Sequence, residues 1–223
     1  GFGTFSATSF YTCPGFTGFA NPSNQRDLGL IYLSTPLPTG INYPDLSGNL
    51  QTGSTVTLAG FGRSGYGSYG YTTLATLTDR RIGYNVIDSF QTNDLGGGFP
   101  AVFFYDFDSP DTTGQVGGSL GNNLESIIGP GDSGGPLLVA DGTGYDLVGV
   151  NTFIAGYGGL FGDTGGGIVV APYVNWIDQT MAQVVPEPSI LGLCLLALPI
   201  CLFQNFIRLG RFGPPPSGRP VRK

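Results

Sequence analysis

Gly131-Asp132-Ser133-Gly134-Gly135-Pro136 decides how the rest of this chain is read. A serine preceded by Gly-Asp and followed by two glycines is what a nucleophile in a tight backbone turn requires. Without Cβ atoms to clash, several amide N–H groups can converge on one point beside the hydroxyl. Ser133 is therefore the candidate nucleophile. The competing reading of the same six residues is a Gly-rich turn between two strands.

Both flanks of the turn read as β structure. Downstream, residues 136–140 and 146–153 are short apolar runs separated by Asp141-Gly142-Thr143-Gly144, the pattern of a hairpin. Upstream, residues 55–62 alternate and end in Gly60-Phe61-Gly62; residues 80–87 and 101–105 read as further strands, and residues 63–71 as a Gly/Tyr-rich loop. Residues 165–171 make the last strand. Pro172 then opens a helix at N1, with Val174, Ile177 and Met181, and Trp176 beside them, as its apolar stripe. Residues 1–24 show no sustained period, are broken by Pro14 and Pro22, and read as loop and edge structure. At Asp27-Leu28-Gly29-Leu30-Ile31-Tyr32-Leu33 the chain turns apolar and stops at Ser34-Thr35-Pro36.

Composition agrees with many short strands joined by tight turns. Glycine (39) and proline (17) are both over-used, while aromatics at 13% are too many for a disordered chain. The length of 223 residues allows one large all-β domain or two small ones. Charge is split. Four arginines precede residue 186 against fourteen acids, a net of −10, whereas Arg208, Arg211, Arg219, Arg222 and Lys223 crowd the end. An acidic body of this kind excludes nucleic acid as a partner. Three cysteines make no disulfide framework, which fits a bacterial exported protein better than an animal secreted one. Asp106, Asp108 and Asp111 are spaced on a turn as calcium ligands could be, but the glycine and bidentate glutamate of a calcium loop are missing, so a solvated acidic loop is expected and no cofactor.

From residue 184 the composition changes. Val185-Pro186-Glu187-Pro188-Ser189 precedes an apolar run, about residues 190–207, and an Arg-rich tail. The run approaches the ~20 residues that span a bilayer and shows no polar face, so it reads as a transmembrane segment with the C-terminus inside. Pro-Glu-Pro, apolar helix and basic tail together resemble a PEP-CTERM sorting signal. That resemblance implies recognition by an exosortase-type sorting enzyme, transient anchoring in the inner membrane, and delivery to the cell surface or beyond.

The six residues around Ser133, and the Asp27 segment with its aliphatic run and proline, resemble the trypsin/chymotrypsin-like serine proteases over residues 20–183. The resemblance implies a double β-barrel with a short C-terminal helix, of which this chain holds the end of the first barrel and all of the second. The domains expected are 1–183, lacking its N-terminal part, and 184–223, the sorting segment. It implies further that Ser133 attacks a peptide carbonyl, that Asp27 orients a histidine, and that the amides of Gly131 and Ser133 form the oxyanion hole. Asp132 would be structural: in the family the acid at this place pairs with a freed N-terminus, a role left open in a chain read as lacking its own. Ile127, six residues before Ser133, would floor the specificity pocket, while Thr152 and Phe153 would flank the cleft on a strand that pairs with bound peptide.

One count stands against activity in the chain as given: it contains no histidine. A chymotrypsin-like serine needs an imidazole to take its proton. The family's histidine lies farther upstream of the aspartate than 26 residues, and the chain starts at Gly1 with no signal segment, so it reads as an inactive fragment of an active serine endopeptidase. The alternatives are an exported pseudoprotease and a surface or matrix binding protein whose Gly/Tyr-rich loops mediate adhesion.

Overall fold

The computed structural model describes residues 4–18, 25–92, 98–111, 117–121, 124–156 and 158–184. In chain order the strands are β1 (Ala7–Thr12), β2 (Gly29–Leu33), β3 (Asp45–Leu46), β4 (Thr55–Gly60), β5 (Ser64–Tyr66), β6 (Gly70–Thr73), β7 (Arg81–Val86), β8 (Ser89–Thr92), β9 (Pro100–Asp106), β10 (Pro136–Ala140), β11 (Tyr145–Ala155) and β12 (Thr164–Val169). A 3₁₀ turn at Ala171–Tyr173 leads into helix α1, Val174–Val184. Two compact units divide the chain, Gly1–Thr180 and Met181–Lys223. Of the second, only residues 181–184 are described, the last turn of α1. All the strands belong to the first.

One sheet carries the fold, in the order β7-β4-β10-β11-β12-β9-β8, with β3 paired to β11 off that path. Every pairing along it is antiparallel except β3 with β11. The sheet curls on itself: the chain passes from β7 directly into β8, which pairs with β9, and Asn85 Nδ2 of β7 donates to Asp106 O at the end of β9 at 2.7 Å. Six strands therefore make a barrel, as expected for the second barrel of the pair. β1 and β2 form a separate two-stranded antiparallel sheet.

The barrel is filled by alternating side chains of β4, β9, β10 and β11. Val56, Phe103, Tyr105, Leu137 and Val148 are all completely buried, and the rings of Phe103 and Tyr105 lie stacked with centroids 6.1 Å apart. Glycines make room for these rings. A Cβ on Gly149 would strike the Phe103 ring, one on Gly165 the Tyr105 ring, and one on Gly167 the backbone carbonyl of Val150. That is why β12 runs Thr164-Gly165-Gly166-Gly167 although glycine is a poor strand former. A second cluster joins Cys13 and Leu28, at the mouth of the β1–β2 hairpin, to Val102, Ile168, Phe104 and Phe153.

Several expectations need correction. Residues 7–12, read as loop and edge, form β1 and pair with β2 from Ala7↔Leu33 to Thr12↔Gly29. Most of β1 is exposed, so it lacks the apolar alternation by which a strand is recognised. The Gly/Tyr-rich stretch holds a β5–β6 hairpin, with Gly70 at φ 73° opening β6 directly after the turn. Pro172 sits inside a 3₁₀ turn and α1 begins two residues later; its buried positions are Ile177 and Thr180, while Met181 is exposed. Thr180 is tolerated there because its hydroxyl donates to Trp176 O at 2.7 Å. The Pro186-Glu187-Pro188 motif, the 190–207 segment and the basic tail lie outside the described residues. No helix among the described residues is long and apolar enough to cross a membrane.

Since the Gly167 Cβ would meet backbone and not a movable side chain, Gly167→Ala should destabilise the unit by about 1–3 kcal/mol in urea unfolding, the usual cost of overpacking. An unchanged midpoint would mean that β11 and β12 are not this close.

Candidate active site

The Ser133 turn is built by two short backbone loops. Asp132 N–H donates to Gly129 O at 2.9 Å, and Gly135 N–H donates to Asp132 O at 2.8 Å. Gly131 (φ 102°) and Gly134 (φ 84°) supply the positive dihedrals that this path needs, at no steric cost. The turn is then stitched to β11: Gly134 N–H donates to Asn151 O at 2.8 Å, and Asn151 N–H returns a bond to Gly135 O at 2.9 Å. The Asn151 side chain, fully buried, donates to Gly135 O at 3.3 Å and Pro136 O at 3.1 Å, and accepts the Tyr105 hydroxyl at 3.2 Å. Neither Asn151 nor Tyr105 stood out in the sequence, because what matters is a contact between strands 46 residues apart.

Ser133 is exposed at the tip, and its hydroxyl donates a long bond, 3.4 Å, to Thr152 O. That carbonyl is available because β11 carries a bulge: Asn151 pairs with Gly167 and Phe153 with Gly166, leaving Thr152 as the extra residue. The amides of Gly131 and Ser133 donate to no acceptor among the described residues. Beyond Asn151, residues 152–155 pair with β12 on one side, while their other edge has no strand partner among the described residues.

Asp132 anchors the turn from below. Its Oδ1 accepts Gly62 N–H at 2.6 Å and its Oδ2 accepts Gly129 N–H at 2.8 Å. These are charge-assisted bonds, roughly twice as strong as neutral ones. Side chains on Gly60 or Gly62 would occupy the space of this carboxylate, which accounts for the Gly60-Phe61-Gly62 turn at the end of β4. Among the described residues the partners of Asp132 are thus two backbone amides.

Asp27 lies just ahead of β2, half-buried, after Arg26 at φ 63°. Burial raises its carboxyl above the ordinary range. No hydrogen bond to it is formed by the described residues, and none joins it to Ser133. The two are linked through packing: Leu28, next to Asp27, shares a cluster with Phe153, next to Thr152. Phe153 packs in that cluster, edge-on to Phe104 at 5.6 Å, on the face of the sheet opposite Phe103 and Tyr105.

Two cavities meet at Asp132. One, about 550 Å³, is lined by Ser133 and its turn together with Pro44, Phe61, Arg80 and Leu138. The other, about 590 Å³, contains Ile127, Arg63, Tyr71, Glu125 and Phe161. Ile127 and Ser133 do not line the same cavity, although Ala59, Gly60 and Asp132 line both. In the second, Tyr71 donates to Ile128 O at 2.7 Å, and its hydroxyl is pushed up to about 12 by burial and by the charges of Asp163 and Asp132.

The acidic loop is assembled differently from the expected trio. Asp106 and Asp108 associate with Asp88 and Glu125, while Asp111 is exposed. Asp88 accepts the amides of Asp106 (2.8 Å) and Gly118 (3.0 Å), and Glu125 those of Asp108 and Leu120 (both 2.8 Å). Asp108 Oδ1 is buried without a partner among the described residues, which is one coordination position and not a set. No group of three or more candidate ligands among the described residues is arranged to hold a metal ion.

Compared with known proteins, the chain matches the trypsin family profile over residues 9–177. Among curated proteins none matches it. Among solved structures it is similar to neuropsin, a serine protease expressed in the limbic system of mouse brain, with a TM-score of 0.55 and 18% identity over 79% of this chain and 71% of that one. At that identity the likeness concerns the fold alone.

Asp106 yields a pH signature. Burial, then the charges of Asp88, Asp108 and Glu125, push its carboxyl from 3.8 up to about 7. Between those values the folded state holds a proton that the unfolded chain has released, so the stability from the protonated form is complete below about 4 and lost as pH rises through about 7. Tm should fall from pH 5.5 to 8, and Asp106→Asn, which keeps a donor to Asp88, should flatten that fall. A parallel decline in both proteins would contradict it. Millimolar calcium should leave Tm unchanged, since the surrounding carboxylate oxygens already hold amides; a rise would show that the acidic loop coordinates the ion.

A trypsin profile spanning residues 9–177, on a six-stranded barrel whose first loop after β9 leads to a glycine-walled serine, shows that this chain belongs to the trypsin family.

Proposed function

We propose that the protein is a serine endopeptidase in which Ser133 is the nucleophile. The observation that carries this reading is the state of the turn: an exposed hydroxyl beside two unspent amides, at the end of an unpaired strand edge. A peptide added along residues 152–155 would bring its next carbonyl to Ser133 by ordinary β pairing. The amides of Gly131 and Ser133 would receive the oxyanion, each donor worth about 2.7–4 kcal/mol in the transition state. Thr152 and Phe153 would line the acyl side of the cleft.

The base is a histidine that these 223 residues do not contain. We infer that it is supplied by polypeptide outside them, and that Asp27 accepts its second N–H, holding the tautomer and stabilising the imidazolium. A half-buried carboxyl without a donor among the described residues, destabilised as an anion by burial, supports that role for Asp27. Proton flow then runs from Ser133 Oγ to the imidazole and on to the leaving amine, while the serine oxygen forms the acyl bond. Water reverses the sequence.

Substrate class follows from residue types. By the family resemblance Ile127, which lines the neighbouring cavity and not that of Ser133, would floor the specificity pocket in place of an acid, so that cleavage after Lys or Arg is disfavoured and apolar or small residues are accepted. Residues 186–223 are proposed as a sorting segment that anchors the precursor in the inner membrane, is cut by an exosortase-type enzyme, and leaves the protease at the cell surface or outside it. Calcium has no role in this chemistry.

The absence of histidine favours one rival, an exported pseudoprotease that uses the cleft only to bind protein. One experiment separates the two. The coding region ahead of Gly1 is sequenced and expressed in frame with this chain, and hydrolysis of Ala-, Leu-, Phe- and Arg-terminated reporters is measured. An endopeptidase should show an upstream histidine and hydrolysis of the apolar reporters ahead of the Arg one. Ser133→Ala should lower kcat by about 10⁶ and Asp27→Asn by about 10⁴. An upstream region that completes the first barrel without histidine, with no reporter hydrolysed, would turn the reading to the binding protein; activity that survives Ser133→Ala would remove Ser133 as the nucleophile.

A further inference from the structure

Arginine is scarce in this acidic body, and the four that precede residue 186 are used differently. Arg26 Nη1 donates to Pro14 O at 3.3 Å and Arg81 Nη1 to Gly62 O at 2.7 Å, so both serve as braces for backbone carbonyls. Arg63 lines the Ile127 cavity. Arg80 is exposed and lines the Ser133 cavity. Its guanidinium makes no hydrogen bond or ion pair with the described residues. The acid in the wall of that cavity is Asp132, whose two oxygens are already taken by Gly62 and Gly129. The remaining walls are glycines, Pro44, Ala59, Phe61, Pro136 and Leu138, none of which carries charge.

Position within the cleft decides which part of a ligand meets Arg80. The unpaired edge at residues 152–155 takes the segment of peptide that leads into Ser133. The Arg80 cavity contains no residue of β11; it lies toward β4 and the start of β7, where Arg81 pairs with Gly60. On the endopeptidase reading, a chain that arrives along β11 and passes Ser133 would leave through it.

We propose that Arg80 selects substrates with an acidic side chain in the few residues that follow the scissile bond. This rests on the endopeptidase reading for the direction of the bound peptide. The chemistry is that of a partly shielded ion pair: a guanidinium with five donors, against a low-dielectric wall, receives a carboxylate in two parallel bonds. The body's charge of −10 repels acidic ligands at long range, which makes a local cation the means by which one acid is admitted at one place.

The test measures binding, so it needs no histidine. Labelled eight-residue peptides carry an apolar residue before the central bond and Asp, Asn or Lys two residues after it; their Kd for this chain is read by fluorescence anisotropy at low and high salt. The expected order is Asp tighter than Asn by about two- to fivefold at low salt, with Lys weakest. Salt should compress the difference. Arg80→Gln should abolish it and Arg80→Glu should reverse it toward Lys, both with unchanged Tm. Equal binding of the three peptides, or an Asp preference that survives Arg80→Gln, overturns the proposal and leaves the peptide cleft standing. If no peptide binds, the cleft reading and the proposal fall together.

Discussion

The carboxylate of Asp132 joins the two halves of the site. One oxygen takes the amide of Gly62 at the end of β4, and the other takes the amide of Gly129 inside the nucleophile loop. These bonds hold the loop against the sheet while Ser133, one residue later, stays at the surface. Asp132 would be costly here without them, since a partly buried anion loses hydration that only directed donors replace. The glycines at 60 and 62 exist to let the donors come that close. A motif six residues long thus depends on a strand end seventy residues earlier.

The same device recurs across the molecule. Asp88 takes amides of Asp106 and Gly118, Glu125 those of Asp108 and Leu120, and Asp163 those of Gly159 and Leu160. Asp141 takes those of Thr143 and Gly144, which hold its carboxyl below the ordinary range. With fourteen acids against four arginines before residue 186, carboxylates could not be answered by cations. Backbone N–H groups of glycine-rich turns answer them instead, so the abundance of glycine and the acidity are two aspects of one solution. Where amides run short the solution fails: Asp88, Asp106 and Asp108 crowd together, and a proton serves as the remaining counter-charge.

What could be read from sequence was whatever is local. The serine turn, the strands β4, β7, β9, β10, β11 and β12, and the approach to the final helix each carry their signal within a few residues: positive-φ glycines, alternating apolar positions, a proline at the helix entry. β1 was hidden because it is exposed along most of its length, and β5–β6 because tyrosine and glycine serve strand and loop equally. Asn151 and Tyr105 could not be found, since a buried amide under the nucleophile turn has meaning only once β9 and β11 are known to face each other. The partners of the acidic loop could not be read for the same reason. Spacing suggested Asp111 as the third member, whereas the curl of the sheet brings Asp88 and Glu125.

The bulge at Thr152 shows how such long-range terms reach the chemistry. Regular pairing of β11 with β12 would alternate Asn151, Thr152 and Phe153 strictly across the two faces. The extra residue breaks that alternation at the point where the Ser133 turn is stitched to the strand. Asn151 then faces the barrel beneath the turn and Phe153 packs on the opposite face of the sheet against Phe104, while the Thr152 carbonyl meets the serine hydroxyl. The Gly165-Gly166-Gly167 run on β12 permits this, because Phe153 lies over Gly166 and Val150 O over Gly167, where any side chain would collide. The glycines opposite the cleft are therefore as much a part of the site as those beside the serine.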